Sequence, residues 1–334
     1  MKHNLKDVEY CVAIRTLGLA GNKFQQELIS LVNQTIPPKK ILVYIADGYE
    51  IPKETIGVEQ YIYVPKGMIA QRALPYDEVD TEFILLLDDD VLLEPNAVEK
   101  LYKGLVECDG DCIAADTFKN QDMSLTSKIR AFVTNMAFPR KDDNWAFKVQ
   151  RNASFSYNNH PSKLVYKSQS AAGPASLWKT DVFRSINFYD ELWLDQMGFA
   201  YGEDLLMFYK SFINGYNLLV HYDCGITHLD AQSSRKIYDQ DKTKLLKRAQ
   251  VWLLLWFRAC YSPCNTMLSK SIVIGAFLWK WIWGGIIHLF YSISILDYQP
   301  IIYYFKGTVN GIKIIKSPMF KAIPNFIINH GVAQ

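Results

Sequence analysis

What the chain lacks narrows its class first. Six cysteines in 334 residues, at 11, 108, 112, 224, 260 and 264, are too few and too scattered for a disulfide scaffold. The nearest pairs, Cys108 with Cys112 and Cys260 with Cys264, stand four apart, which is not the usual zinc spacing. Free thiols in a reducing compartment are therefore expected. No internal repeat occurs, and a composition 49% hydrophobic and 21% charged excludes a coiled coil, a collagen-like fibre and a mostly disordered chain. Met1 to Asp7 hold no apolar core of a secretory signal, so the body is expected in the cytoplasm, and the sequons at Asn33 and Asn152 read as chance.

What is present is enough for one large α/β domain and a smaller part. The net charge of +2 is unevenly spread: Ala231 to Gln334 carry thirteen Lys/Arg against three Asp, or +10, which leaves −8 for the first 230 residues. An acidic body with a basic, apolar tail suits an anionic surface better than nucleic acid, because the basic residues are interleaved with long apolar runs.

The apolar pattern sets the organisation. Glu9 to Ile14 and Ile41 to Ala46 read as strands, with Phe24, Leu28, Leu31 and Val32 at helical spacing between them, so the chain opens on a βαβ unit of a parallel sheet. Tyr61 to Val64 is a third strand and Met68 to Leu74 a short helix. Phe83 to Leu87 is a continuous apolar run, as in a central strand covered on both faces. A helix follows from Pro95, with Ala97, Val98, Leu101 and Leu105 as its buried stripe. Phe118 to Ser170 reads as a polar, irregular lid or substrate loop. Glu203 to Asn214 is an amphipathic helix capped by Gly215, and Leu218 to His221 a strand. Beyond Lys242 the chain turns helical and apolar: Leu245 to Tyr261, Ser271 to Leu296, and the shorter pieces Ile301 to Phe305 and Ile312 to Ile315.

Three groups carry chemistry. Asp88-Asp89-Asp90 ends the buried strand, and adjacent carboxylates at a strand mouth repel unless a cation joins them. Their hard oxygens suit Mg²⁺ or Mn²⁺ bridging a nucleotide diphosphate, against the plainer alternative of a solvated acidic turn. Glu203 and Asp204 open a helix, where the dipole favours acids by about 0.3–1 kcal/mol each and keeps Asp204 ionised, able to accept a proton. His228, after a strand, is the candidate nitrogen ligand to such a metal, while His221, within a strand, reads as structural.

Together these residues resemble family 2 glycosyltransferases of the GT-A fold, over about Val8 to Ser233. The likeness rests on Val12 to Thr16, Ile41 to Gly48, Gly67 to Arg72, Phe83 to Asp90, Gly173 to Trp178, Gly202 to Asp204 and His228. It implies an α/β GT-A domain over 1–234 and a helical, membrane-associated or dimer-packing extension over 235–334. It also implies roles. Arg15, Thr16 and Asp47 would hold the base of a nucleotide-sugar, such as a UDP-sugar, and Arg72 would lie beside the nucleotide. Asp88 would face the ribose or sugar, Asp90 and His228 the metal, and Asp89 either. Ala172 and Gly173 would line the sugar pocket, Glu203 would contact donor or acceptor, and Asp204 would be the general base. Ala73 stands where the family has Asn, and the Gln-x-x-Arg-Trp motif of processive synthases is absent, so transfer of a single sugar is expected, with inversion, to a glycan or lipid-linked acceptor in surface-polysaccharide synthesis. The rivals are a nucleotide-binding scaffold without turnover and a nucleotidyltransferase, the latter disfavoured because Leu17 to Lys23 offers one lysine to a triphosphate.

Ser271 to Leu296 is long enough for a bilayer, but Lys280 in mid-run costs about 2.5–3.5 kcal/mol there, and Trp279, Trp281 and Trp283 cluster around it. The expectation is an interfacial or re-entrant hairpin, peripheral or monotopic at the inner face of the cell membrane, with packing against the domain or a second copy as the alternative.

Overall fold

The structure, a computed structural model, describes residues 8–118, 125–135, 144–199, 201–229, 243–326 and 328. It is mixed α/β, with a large central sheet and a C-terminal helical region. The opening βαβ unit is β1 (Tyr10–Thr16), α1 (Asn22–Val32) and β2 (Lys40–Ala46), followed by β3 (Glu59–Val64), β4 (Phe83–Asp88), the short β5 (Val91–Leu93), α2 (Ala97–Glu107) and β6 (Cys112–Ala115). A connection containing α3 (Leu125–Asn135), β7 (Phe147–Val149), β8 (Phe155–Tyr157) and β9 (Val165–Lys167) leads to β10 (Ala175–Lys179) and α4 (Thr180–Ser185). A 3₁₀ helix (Phe188–Met197), α5 (Glu203–Ile213), β11 (Leu218–His221) and β12 (Ile226–His228) complete this part. Then come α6 (Lys244–Trp256), a π-helical turn (Phe257–Tyr261), α7 (Met267–Ser294), α8 (Gln299–Ile315) and α9 (Pro318–Lys321).

The eight-stranded sheet runs β3-β2-β1-β4-β10-β6-β11-β9. β3, β2, β1 and β4 are mutually parallel, as are β6 and β11, while β10 and β9 run antiparallel to their neighbours. Consecutive side chains of a strand point to opposite faces. Val12, Ile14, Val43, Leu85 and Leu87 therefore pack with α1 and α2, while Ala13, Leu42, Tyr44, Ile84 and Leu86 pack with Trp178, Phe208 and α6. Both faces are covered, which is why these strands read as unbroken apolar runs.

The C-terminal helices share the second of these cores. Val251, Trp252, Leu254, Phe277 and Phe320 belong to the same buried cluster as Trp178 and Phe208. The expected boundary at 234/235 lies outside the described residues.

Three local expectations are corrected. The 118–170 segment is not irregular throughout: it holds α3 and three short strands, one of them (β9) the edge of the main sheet. Met68 to Leu74 forms successive turns rather than a helix: Asp195 caps its first amides, accepting from Ile69 and Ala70 at 2.9 Å each, but Pro75 follows at once and stops it from extending. The two apolar pieces at 301–305 and 312–315 are one helix, α8, whose Gly307 and Gly311 let its backbone press against Leu246 and Leu253 of α6.

Candidate active site

The C-terminal ends of β1, β2 and β4 lie along one edge of the sheet, and the strand order reverses there, with β1 between β2 and β4. In open α/β sheets this is where a ligand crevice forms. Register makes Arg15 on β1 the neighbour of Asp88 on β4, and Arg15 Nε donates to Asp88 Oδ1 at 2.5 Å. Arg72, buried at the end of the 67–72 turns, approaches the same oxygen at 3.5 Å and donates from Nη1 to Asp204 Oδ1 at 2.5 Å. Its Nη2 also donates to the Gly173 carbonyl at 3.2 Å, and the Gly173 amide donates back to Asp204 Oδ2 at 3.1 Å. A Cβ at Gly173 would collide with both the Asp204 carboxylate and the Arg72 guanidinium, so glycine is dictated by this close approach. Ala172 beside it is buried. Arg15, Tyr44, Arg72, Tyr76, Asp88 and Gly173 line a small cleft.

Asp204 meets Arg72 and Gly173 at the cleft wall because Gly202, with φ of 88°, turns the chain into α5 against Leu255 of α6, where a Cβ would meet the Leu255 side chain. Glu203 lies deeper. Burial, and then the Asp204 charge, push its carboxyl up to about 7, although Arg15 stands 4.0 Å away. Burial also acts to raise Asp88, but Arg15 and Arg72 outweigh it and hold that carboxyl below its ordinary value.

A second group adjoins the first. β12 pairs antiparallel with β5, opposing His228 to Val91, and this places His228 Nε2 3.0 Å from Asp90 Oδ1. His228 also stands near enough to Asp88 for a protonated imidazole to help hold that carboxyl down, so imidazole and carboxylates share one side of the molecule. Asp89 turns the other way and accepts from the Thr16 hydroxyl at 2.5 Å, and burial pushes it up to about 6. Behind it lies Glu27 of α1, fully buried, with one oxygen held by the Val91 amide and the other without a hydrogen-bond partner among the described residues.

Among the described residues no three His, Cys, Asp or Glu side chains stand together as a metal cage; Asp90 and His228 form a pair. One carboxylate and one imidazole fit a divalent ion whose remaining positions are filled by phosphate and water. Glu27, Asp89 and Asp90 are all buried at this strand mouth, where burial and their neighbours' charges push the Glu27 and Asp89 carboxyls up.

One expected member stands apart. Asp47 follows β2 at the same sheet edge but is exposed and outside the cleft, with its amide donating to the Val64 carbonyl. His221 is buried, accepts from the Asp223 amide at Nδ1, and is pushed down to about 4 by burial, in keeping with a structural role. Sequence reasoning missed Tyr44 and Tyr76 in the cleft, Asp195 beneath the 67–72 turns, and Gln71, which bridges the Thr16 and Tyr44 carbonyls. No spacing signals them, because each acts across a long loop.

No protein-family model matches this chain, and no curated protein matches it significantly. The function therefore rests on the residues themselves.

Proposed function

We propose that the chain is an inverting, metal-dependent glycosyltransferase of the GT-A type that moves one sugar from a nucleotide-sugar donor to a hydroxyl of a glycan or lipid-linked acceptor. One observation carries the reading. At a reversal in strand order, two arginines, a carboxylate chain through Asp88 and Asp204, and the Asp90–His228 pair meet on one side of the molecule. Cations for a leaving diphosphate, a metal-binding pair and an ionisable base are the parts such a transfer needs.

In this reading the nucleotide lies along the β1–β2 edge, with Thr16 and the exposed Asp47 toward its base. Arg15 and Arg72 offset charge on the departing diphosphate, a term that gains strength in a partly desolvated cleft. Mn²⁺ or Mg²⁺ held by Asp90 and His228 would supply Lewis-acid stabilisation of the same phosphates. Asp204, the most exposed carboxylate of the cluster, accepts the acceptor's hydroxyl proton as its oxygen bonds to the anomeric carbon and the bond from that carbon to the diphosphate breaks. Arg72 links the two halves: it holds Asp204 in the free protein and is within reach of Asp88 on the diphosphate side. Gly173 and Ala172 form the floor on which the sugar is oriented.

The test is a panel of nucleotide-sugars incubated with the purified chain, with and without Mn²⁺, and read by mass spectrometry. Metal-stimulated hydrolysis or transfer of at least one donor is the expected result. Saturable nucleotide binding without turnover of any donor would favour the scaffold reading, and release of pyrophosphate from a nucleoside triphosphate the nucleotidyltransferase one.

A further inference from the structure

The helical region presents a broad apolar surface away from the sheet. On α7, Ile274, Leu278, Ile282, Leu289 and Ile293 are all exposed, at spacings of four and seven that mark one side of the helix. α8 exposes Ile302, Phe305, Val309 and Ile312 in the same way. The opposite sides are occupied: Phe277 stacks on Trp252 of α6, the Trp281 indole donates to Thr308, and the Tyr304 hydroxyl donates to the Trp281 carbonyl. α3 extends the patch. Its Leu125 and Ile129 are exposed one turn apart, and the Trp279 indole of α7 donates to the Val133 carbonyl at 2.8 Å.

Charge says what covers this face. In sequence, α3 and residues 267–321 hold eight Lys/Arg and a single acid, Asp297, which caps α8 through the Gln299 amide. Lys128, Lys306, Lys313, Lys316 and Lys321 are exposed, and none pairs with a carboxylate among the described residues. An apolar face rimmed by unpaired cations fits anionic headgroups over acyl chains. It fits a second copy poorly, because the two like-charged rims would repel.

The depth of contact also follows. Lys280, at the midpoint of the 28-residue α7, is turned inward, with Nζ 2.5 Å from the Ser154 hydroxyl and 4.4 Å from the Trp252 ring centre. Half of such a helix spans about 20 Å. If α7 crossed a hydrocarbon core of about 30 Å, Ser154 and its neighbours would be carried into the bilayer. The helix is long and apolar enough to span, with mean hydropathy 1.5 over its most apolar stretch, but this inward anchor of its midpoint opposes a crossing.

We infer that α3, α7 and α8 form one monotopic docking face for an anionic lipid bilayer, and that the connection bearing α3, which ends at Gly173 in the cleft, is tied to that surface. The docking face stands without the sugar-transfer reading; a lipid-borne acceptor reaching the cleft along the bilayer rests on that reading.

The full chain is mixed with vesicles of phosphatidylcholine alone, or with added phosphatidylglycerol, and floated on a density gradient. Strong flotation only with the anionic lipid is expected. Leu278→Asp/Ile282→Asp and, separately, Leu125→Asp/Ile129→Asp should each weaken binding by about tenfold or more while the circular dichroism melt is kept. Unchanged flotation of the α7 variant overturns the face, and unchanged flotation of the α3 variant removes α3 from it. Retention after an alkaline wash overturns the surface-lying geometry. A lipid-free dimer that the α7 variant dissociates assigns the face to a second copy instead. Flotation without donor turnover would sink only the enzyme reading, and turnover without flotation only this one.

Discussion

Asp204 and Glu203 are adjacent in sequence and unlike in surroundings. Asp204 meets Arg72 and the Gly173 amide at a partly open position, whereas Glu203 beside it is more enclosed and resists ionisation. Asp204→Asn keeps the shape and removes the proton acceptor, so transfer should fall by at least about a hundredfold, the usual share of a general base, with nucleotide affinity nearly unchanged. Isothermal titration beside a turnover assay separates the two, and full retained transfer would take Asp204 out of the base role. Glu203 makes a different prediction. Its carboxyl ionises at about 7 in the folded chain against an ordinary value of 4.5. Between these values the unfolded chain has released a proton that the folded chain keeps, so stability falls as pH rises through that window. Glu203→Gln lacks this titration, and its melting temperature should decline less steeply from pH 4.5 to 7 than that of the parent chain. Equal slopes would show that Glu203 ionises normally.

At the scale of elements, the site depends on two pairings that are weak alone. β12 and β5 are three residues each, and their antiparallel register is what brings His228 to Asp90. Asp90→Ala and His228→Ala should each abolish the Mn²⁺ dependence of nucleotide binding and leave binding in EDTA unchanged, as read by titration calorimetry. Retained Mn²⁺ stimulation in both variants would place the ion elsewhere. The other pairing is the approach of Gly173, just before β10, to α5 and the 67–72 turns. Gly173→Ala forces a methyl between Asp204 and Arg72, and overpacking of this kind costs about 1–3 kcal/mol. A lower denaturation midpoint and lost turnover should appear together. A fully active, equally stable variant would mean that the three groups are farther apart than they stand here.

The whole molecule is joined by a buried charge network as well as by a shared core. Glu191 of the 3₁₀ helix accepts from Arg258 at 2.8 and 3.1 Å and from the Trp193 indole at 2.7 Å, and Lys210 of α5 stands 3.4 Å away. Arg258 lies in the π-helical turn after α6, where the widened backbone aims it inward, and its guanidinium covers the Phe326 ring. Removing one partner leaves a buried charge uncompensated, so Glu191→Ala should cost about 3–5 kcal/mol. Because this network and the hydrogen bond from the Trp252 indole to the Asn152 carbonyl bind the C-terminal helices to the α/β part, heating should give one cooperative transition. Two calorimetric peaks would mean that the extension folds by itself.

The sequence by itself determined the βαβ start, the buried central strand, the acid-rich strand mouth, the Glu203–Asp204 helix and the apolar tail, because each is written in local periodicity or in adjacent residues. The family resemblance also grouped Arg15, Arg72, Asp88, Asp90, Asp204 and His228, and set Asp90 beside His228, but it named none of the other contacts among them. Only the tertiary structure decided that Arg72 holds Asp204, that His228 meets Asp90 through a two-strand ladder, that Asp47 stands outside the cleft, and that Lys280 faces inward. The reason is physical. Periodicity reports which face of an element is buried, but not which distant element buries it, and long connections such as 118–170 leave that choice to packing.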